Sequence, residues 1–217
     1  MKIKLLFTGL VAIFIVACGQ SQTQQKGYTI SGEIAGLSGK VYLTVFEGKM
    51  PQRIDSTEAN NGTFSFKGNQ ALPIFAAIET ESGPLLRFFL ENSPITIHGS
   101  ANDPEAINVL GSTSESLYRA YLTEIDSAKK VIYADSAALA TASGRDSLEN
   151  LVNRQRMEFV KGHTNSVVAA YILYRELSYY MNYDELYAAV AAFDEPIQQS
   201  VYLQLVASMA DAQKKTA

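Results

Sequence analysis

Cysteine is almost absent: Cys18 is the only one in 217 residues. No disulfide can therefore form within the chain, and no Cys-x-x-Cys pair is available for thiol exchange. Tryptophan is missing altogether, and only two histidines occur, His98 and His163. They lie far apart without the spacing of a zinc or metalloprotease motif, so a strand-end and a helix-connection histidine are expected, with no metal or cofactor. Long apolar runs are lacking too. The one candidate, Leu5 to Ala17, is shorter than the about 20 residues that a membrane-spanning helix needs. A basic excess is also missing: the formal charge is −4. Such a chain is not built to follow the phosphates of nucleic acid.

The short apolar run is informative by position. Lys2 and Lys4 precede it, and the small Ala17 and Cys18 close it. Basic n-region, apolar h-region and small-residue end are the parts of a secretory signal. Ile15-Val16-Ala17-Cys18 resembles the lipobox of bacterial lipoproteins. That resemblance implies cleavage after residue 17, diacylation of the Cys18 thiol and a membrane anchor. Acyl chains contribute about 0.8 kcal/mol per buried methylene, and two or more hold stably where one holds marginally. Removal of residues 1–17 takes two lysines and leaves 16 Lys and Arg against 22 Asp and Glu. Residues 18–27 then form a polar, glutamine-rich tether. Its nine residues after the cysteine span roughly 17 Å on average. Gly19 follows the cysteine with no acidic residue near, which by resemblance to sorting rules favours the outer membrane facing the periplasm.

From Tyr28 the apolar period is near two. Tyr28, Ile30, Gly32 and Ile34 alternate with polar residues, and so do Val41, Leu43 and Val45. A third strand is expected at Arg53 to Ala59, and Asn60-Asn61-Gly62 is a tight-turn signal. Further strands are expected from Pro73 to Glu79, Leu85 to Glu91, around Ile95 and Ile97, and from Ile107 to Leu110. Leu85 to Glu91 is apolar on both sides except for Arg87, which suits a strand covered on both faces. Seven or eight short strands with Gly, Asn and Pro turns argue for an antiparallel β-sandwich over residues 28–111.

Beyond residue 111 the period lengthens to three and four, which predicts a helical region over 112–214. A first helix carries Leu117, Tyr121, Leu122 and Ile125 and continues through Ala138 and Leu139, with Ser143-Gly144 as its stop. A second runs from Asp146 to Lys161, ended by Gly162. A third covers Val167 to Tyr180, capped by Asn165 or Ser166. Asn182 with Glu185 forms a capping box for a fourth. Asp194 and Pro196 start a fifth, carrying Ile197, Val201, Leu205 and Met209 before dissolving at Gln213. The fold class is thus α+β, an N-terminal antiparallel β-sandwich followed by a C-terminal α-helical region.

No constellation of catalytic residues stands out. Asp55, Glu58 and Glu91 could face one another as paired carboxylates, although charge at strand ends is the commoner reason for such residues. Gly36 and Gly39 do not open a strand-helix unit of the dinucleotide-binding kind. The dense set Tyr171, Tyr174, Tyr179, Tyr180, Tyr183 and Tyr187 leaves two readings open. These are packing residues with hydroxyls at the rim, or they form a ligand or protein contact surface.

Tyr28-Thr-Ile-Ser-Gly-Glu-Ile-Ala-Gly-Leu-Ser-Gly-Lys-Val-Tyr-Leu43 resembles the opening of a domain of unknown function in lipoproteins of anaerobic Gram-negative bacteria. Asn61-Gly-Thr-Phe-Ser-Phe-Lys-Gly68, Phe89-Leu-Glu-Asn-Ser-Pro-Ile-Thr-Ile-His-Gly99 and His163-Thr-Asn-Ser-Val-Val-Ala-Ala-Tyr-Ile-Leu173 continue the likeness. In longer members of that family the region precedes a thioredoxin-like domain of the TlpA or AhpC/TSA type, which carries the Cys-x-x-Cys. Ala217 stands near where that domain would begin, so none of its catalytic positions carries over. The resemblance implies a non-catalytic, membrane-tethered module that positions a thioredoxin-like partner or its substrate. The alternative is a stand-alone binding lipoprotein for a peptide, glycan or envelope component. Cys18→Ser is expected to abolish membrane association while leaving the fold intact, measured by cell fractionation and circular dichroism. Membrane retention without the thiol would overturn the lipid anchor.

Overall fold

A computed structural model describes residues 27–48, 50–134 and 139–216. Cys18, the leader and nearly all of the tether lie outside the described residues. Eight strands come first: β1 (Tyr28–Ala35), β2 (Gly39–Val45), β3 (Gln52–Ala59), β4 (Thr63–Gly68), β5 (Ile74–Thr80), β6 (Gly83–Leu90), β7 (Pro94–Ser100) and β8 (Asp103–Leu110). They form two four-stranded sheets, ordered β4-β1-β7-β8 and β3-β2-β5-β6. The alternation seen in the sequence is the alternation of burial. Tyr28, Ile30, Gly32 and Ile34 point inward from β1, and Ser31 and Glu33 point out. Gly32 sits opposite Phe64, whose ring takes the space a side chain would fill; a Cβ there would lie 2.1 Å from that ring. The turn after β3 forms as the sequence indicates, with Asn61 at φ 52° and Gly62 at φ 84°.

One pairing departs from the all-antiparallel expectation. β1 and β7 run parallel, with Ile30 opposite Ile95 and Gly32 opposite Ile97. The chain leaves the first sheet, forms strands in the second and returns, and such a crossover permits a parallel neighbour where a hairpin does not. Apolar period reports which face is buried and is blind to the direction of the partner.

Most of β5 and the end of β6 are covered on both faces. Ile74 to Ile78 and Phe88 to Leu90 are buried without a break. One face meets the other sheet and the opposite face meets helices, in one continuous core. The helices are α1 (Thr113–Ile132), α2 (Ala142–Gly162), α3 (Val167–Ile172), α4 (Tyr183–Ala191), α5 (Glu195–Gln198) and α6 (Val201–Thr216).

Several helix boundaries move. α1 stops at Ile132 instead of continuing to Leu139, and Tyr133 leaves the helix with its hydroxyl donating to Glu149 at 2.7 Å. Ser143-Gly144 is not a stop: Thr141 caps α2 by accepting the Gly144 N–H, so both residues lie in its first turn. A glycine is tolerated there because the first-turn N–H groups look outward to a cap. Gly162 ends α2 as expected. The third helical stretch begins at the Ser166 cap and reaches Tyr180, but changes type on the way. A π turn over Leu173–Leu177 and a 3₁₀ turn over Ser178–Tyr180 follow α3. Asn182 and Glu185 form the expected capping box. The last expected helix is broken into α5 and α6. The buried stripe of α6 is Tyr202, Leu203, Val206 and Ala210, not Val201, Leu205 and Met209. Ser200, buried between the two helices, resets the helical phase.

Two sets of polar contacts fasten helices to the sheet. β6 is an edge strand, and its Phe89 N–H donates to Glu115 at 2.9 Å while its Phe89 carbonyl accepts from the Ser112 hydroxyl at 3.0 Å. Glu91 accepts from the Thr113 and Ser114 backbone at the start of α1. On β5, the Phe75 N–H donates to the Tyr202 hydroxyl at 2.8 Å. A third network ties the helices together. Arg156 donates to Glu149 at 2.7 Å and to Glu176 at 2.8 Å, and the Tyr121 hydroxyl donates to Glu176 at 2.7 Å.

Burial pushes the Glu149 carboxyl up, but hydrogen bonds from Tyr133 and Arg156 and the charge of Arg156 outweigh it and hold it below its usual 4.5. A depressed carboxyl stabilises the fold fully above its unfolded value, and the contribution fades as pH falls through the lower folded value. The difference in melting temperature between the protein and Glu149→Gln is therefore expected to shrink as pH drops from neutral to below 4.5. A difference that stays constant over that range would rule out the linkage. Tyr202→Phe leaves the buried Phe75 N–H without an acceptor and is expected to cost about 1–3 kcal/mol in urea unfolding. An unchanged midpoint would show that this bond does not fasten α6.

Candidate functional site

Where the helices meet the outer face of β5 and β6, aromatic side chains gather. Phe75 and Phe89 project from the sheet, Tyr118 from α1, Tyr171 from α3 and Tyr202 from α6. Phe75 and Tyr171 have ring centroids 4.6 Å apart, and Phe89 and Tyr118 are 5.2 Å apart. Tyr171 meets Tyr202 edge-on at 5.2 Å, and Tyr202 stacks on Tyr174 at 6.2 Å. Such tilted and edge-on pairs add about 0.5–1.5 kcal/mol each beyond their burial. Above them opens a cleft of about 530 Å³, lined by Tyr118, Tyr171, Tyr174 and Tyr202 on the helix side. Phe46, Phe75 and Arg87 line the sheet side, and Arg175 stands beside the tyrosines.

Local structure explains this placement. Tyr118 follows the Ser112 cap by about a turn and a half, so fastening α1 to Phe89 sets its ring over Phe89. Tyr174 and Arg175 ride on the π turn. A π turn carries one more residue per turn than an α-helix, which re-aims the side chains around it. Glu176, next along, turns the other way into the Arg156 network, and so the same turn is anchored on one side and open on the other.

Burial raises the Tyr118 hydroxyl well above the usual tyrosine value, with Tyr171 and the carboxylates of Glu176 and Glu115 adding to it. Burial does the same to Tyr202, against the Phe75 N–H, which favours the ionised form. Tyr171 is also raised by burial, opposed by the nearby Arg175 charge. These phenols are therefore neutral across the physiological range and can donate hydrogen bonds.

The six tyrosines singled out in the sequence divide. Tyr171 and Tyr174 come together at the cleft. Tyr171 is buried, as a packing residue would be, yet it also lines the opening. Tyr180 lines a separate apolar groove with Met157, Val160, Met181 and Phe193. Tyr179 faces solvent, 74% exposed. Tyr187 donates to Asp211 beside Lys214, and Tyr183 packs against the edge of the core. Phe46, Phe75, Arg87, Tyr118, Arg175 and Tyr202 were not singled out as site residues by the sequence. Arg87 carried a signal, as the lone charge in an otherwise apolar strand.

The other polar candidates do not converge. His98 is half-exposed, 3.9 Å from Glu33. His163 stacks on Phe159 at 4.2 Å, with its Nδ1 2.8 Å from the Phe159 carbonyl oxygen. Asp55 lies opposite Leu43 and Glu58 opposite Lys40, both on β3, while Glu91 holds the start of α1. The three carboxylates are thus not a pair or a triad. Among the described residues, no group of three His, Cys, Asp or Glu side chains could hold a metal ion. No helix among them is long and apolar enough to cross a membrane.

Neither a curated protein nor a solved structure matches the chain. The eight strands and the start of α1 through Tyr118, residues 28–118, match the family model of a domain of unknown function, DUF4369.

Proposed function

We propose that the chain is a non-catalytic binding module of the cell envelope, tethered to the membrane by lipid on Cys18, that takes its ligand in the aromatic cleft. The observation that carries this reading is a cleft whose wall is four tyrosines converging from three helical segments over the sheet, Tyr118 and Tyr174 partly exposed and Tyr171 and Tyr202 buried behind them. Ligand sites are typically concave, rich in apolar and aromatic side chains and sparing in polar groups. The cleft is concave and aromatic, but its two arginines and its tyrosines make its lining as polar as apolar, and its size suits a short peptide end or a compact ring-bearing molecule. Rings at the mouth of a cleft bind by stacking and by excluding water, which needs no reactive group.

A second reading, a module that positions a thioredoxin-like partner or its substrate, draws support from the apolar groove at Tyr180. That groove lies apart from the cleft, and Tyr179 and Tyr180 beside it are both exposed.

The lack of tryptophan provides a direct test. Tyrosine emission is the protein's own signal, and four of the twelve tyrosines line the cleft. Titration with a panel of short peptides and envelope saccharides is expected to give a saturable change in that emission with at least one of them. Tyr174→Ala should weaken the same binding by about 1 kcal/mol. No saturable change with any probe, or full retention of binding in Tyr174→Ala, would count against the cleft.

A further inference from the structure

The cleft contains two arginines and no aspartate or glutamate. Arg87 comes from β6 on the sheet side, and Arg175 from the π turn on the helix side. Among the described residues, Arg53, Arg119 and Arg156 are each paired with a carboxylate. Arg87, Arg145, Arg154 and Arg175 form no such pair there, and of these only Arg87 and Arg175 line the cleft. Arg87 instead stands over the Phe46 ring, 6.0 Å from its centre. The acidic groups that influence the cleft tyrosines from within the helices are already engaged. Glu176 accepts from Arg156 and Tyr121, and Glu115 accepts from Phe89 and Arg119. On the sheet side Glu47, between the lining residues Phe46 and Gly48, also acts on Tyr202 but is bonded to neither arginine. Two guanidinium groups thus enter one ring-lined cleft with no carboxylate among the described residues paired to either of them.

A guanidinium presents a planar fork of donors that fits the two oxygens of a carboxylate. Neutral phenol hydroxyls beside it donate further hydrogen bonds to an anion. The protein's own formal charge of −4 sets a long-range penalty against polyanions and favours a ligand of single charge. We propose that the cleft recognises a carboxylate joined to a planar ring, with Arg87 and Arg175 on the carboxylate and the tyrosines on the ring. This inference rests on the cleft being a binding site. Its chemistry is shared by the C-terminal aromatic residue of a peptide and by a free aromatic acid.

Calorimetric titration of the full chain in detergent tests it with three probes. These are N-acetylphenylalanine, its uncharged amide, and a tetrapeptide ending in phenylalanine with a free carboxylate. The acid is expected to bind about tenfold or more tightly than the amide, as a charge-assisted contact requires. Arg87→Gln and Arg175→Gln should each shrink the ratio of acid to amide affinity. Both side chains are exposed, so the substitutions leave the core untouched. A stronger response to the tetrapeptide or to the free acid identifies the source of the carboxylate, and either supports the proposal. Equal binding of acid and amide overturns it while leaving the cleft a binding site, as does an undiminished preference in both variants. Binding by none of the three probes overturns it together with the role of the cleft.

Discussion

The arrangement of helices on sheet depends on how the edge of one strand is finished. β6 has a neighbour on one side only, and its outer backbone groups would otherwise face a buried boundary. An unpaired buried N–H or C=O is costly, and an open sheet edge invites unwanted pairing. Ser112 and Glu115 remove both problems at Phe89, one by donating and one by accepting. Glu115 is 1% exposed and keeps Arg119 as its partner, so its charge is not buried alone. The same Ser112 hydroxyl caps α1. One residue therefore starts a helix and closes a sheet edge together, and it sets where α1 lies on the sheet.

The cleft is a by-product of that fastening. α1 brings Tyr118 over Phe89, and the Tyr202 hydroxyl on Phe75 brings α6 to the adjoining strand. Between them, α3 lays Tyr171 across both phenylalanines. The π turn places Tyr174 and Arg175 at the edge of this ring cluster, where both line the cleft. The residues that open the cleft are thus next to the one that locks it, since Glu176 belongs to the same turn.

Much of the fold was legible in the sequence because burial has a period. β1 alternates cleanly, and the apolar residues on both sides of β6, broken only by Arg87, foretold cover on both faces. Caps were legible as well, since Ser166 and the Asn182–Glu185 box act through neighbouring residues. What the sequence concealed is set by distant partners. The parallel neighbour of β1 and the early end of α1 at Tyr133, which turns toward Glu149, depend on contacts from other elements. The phase of α6 was misread because Ser200 interrupts the helix within a run of continuous apolar spacing. The site was half legible. Tyrosine density pointed to Tyr171 and Tyr174, but four other rings reach the cleft from elements far apart in the chain. Arginines without carboxylates can be recognised only once the pairings of the others are known.

The parallel pair of β1 and β7 bears on the order of assembly. β1 is the first of the described strands, yet it occupies an interior place between β4 and β7. Its parallel partner comes from the far end of the strand region, so that sheet cannot be completed from local hairpins. Loop-closure entropy is met before this pairing returns any stabilisation, which makes such contacts slow to form. β1 can pair with β4 midway through the strand region, but its other edge is filled only once β7 has formed, so the first strand of the sheet is among the last to be enclosed.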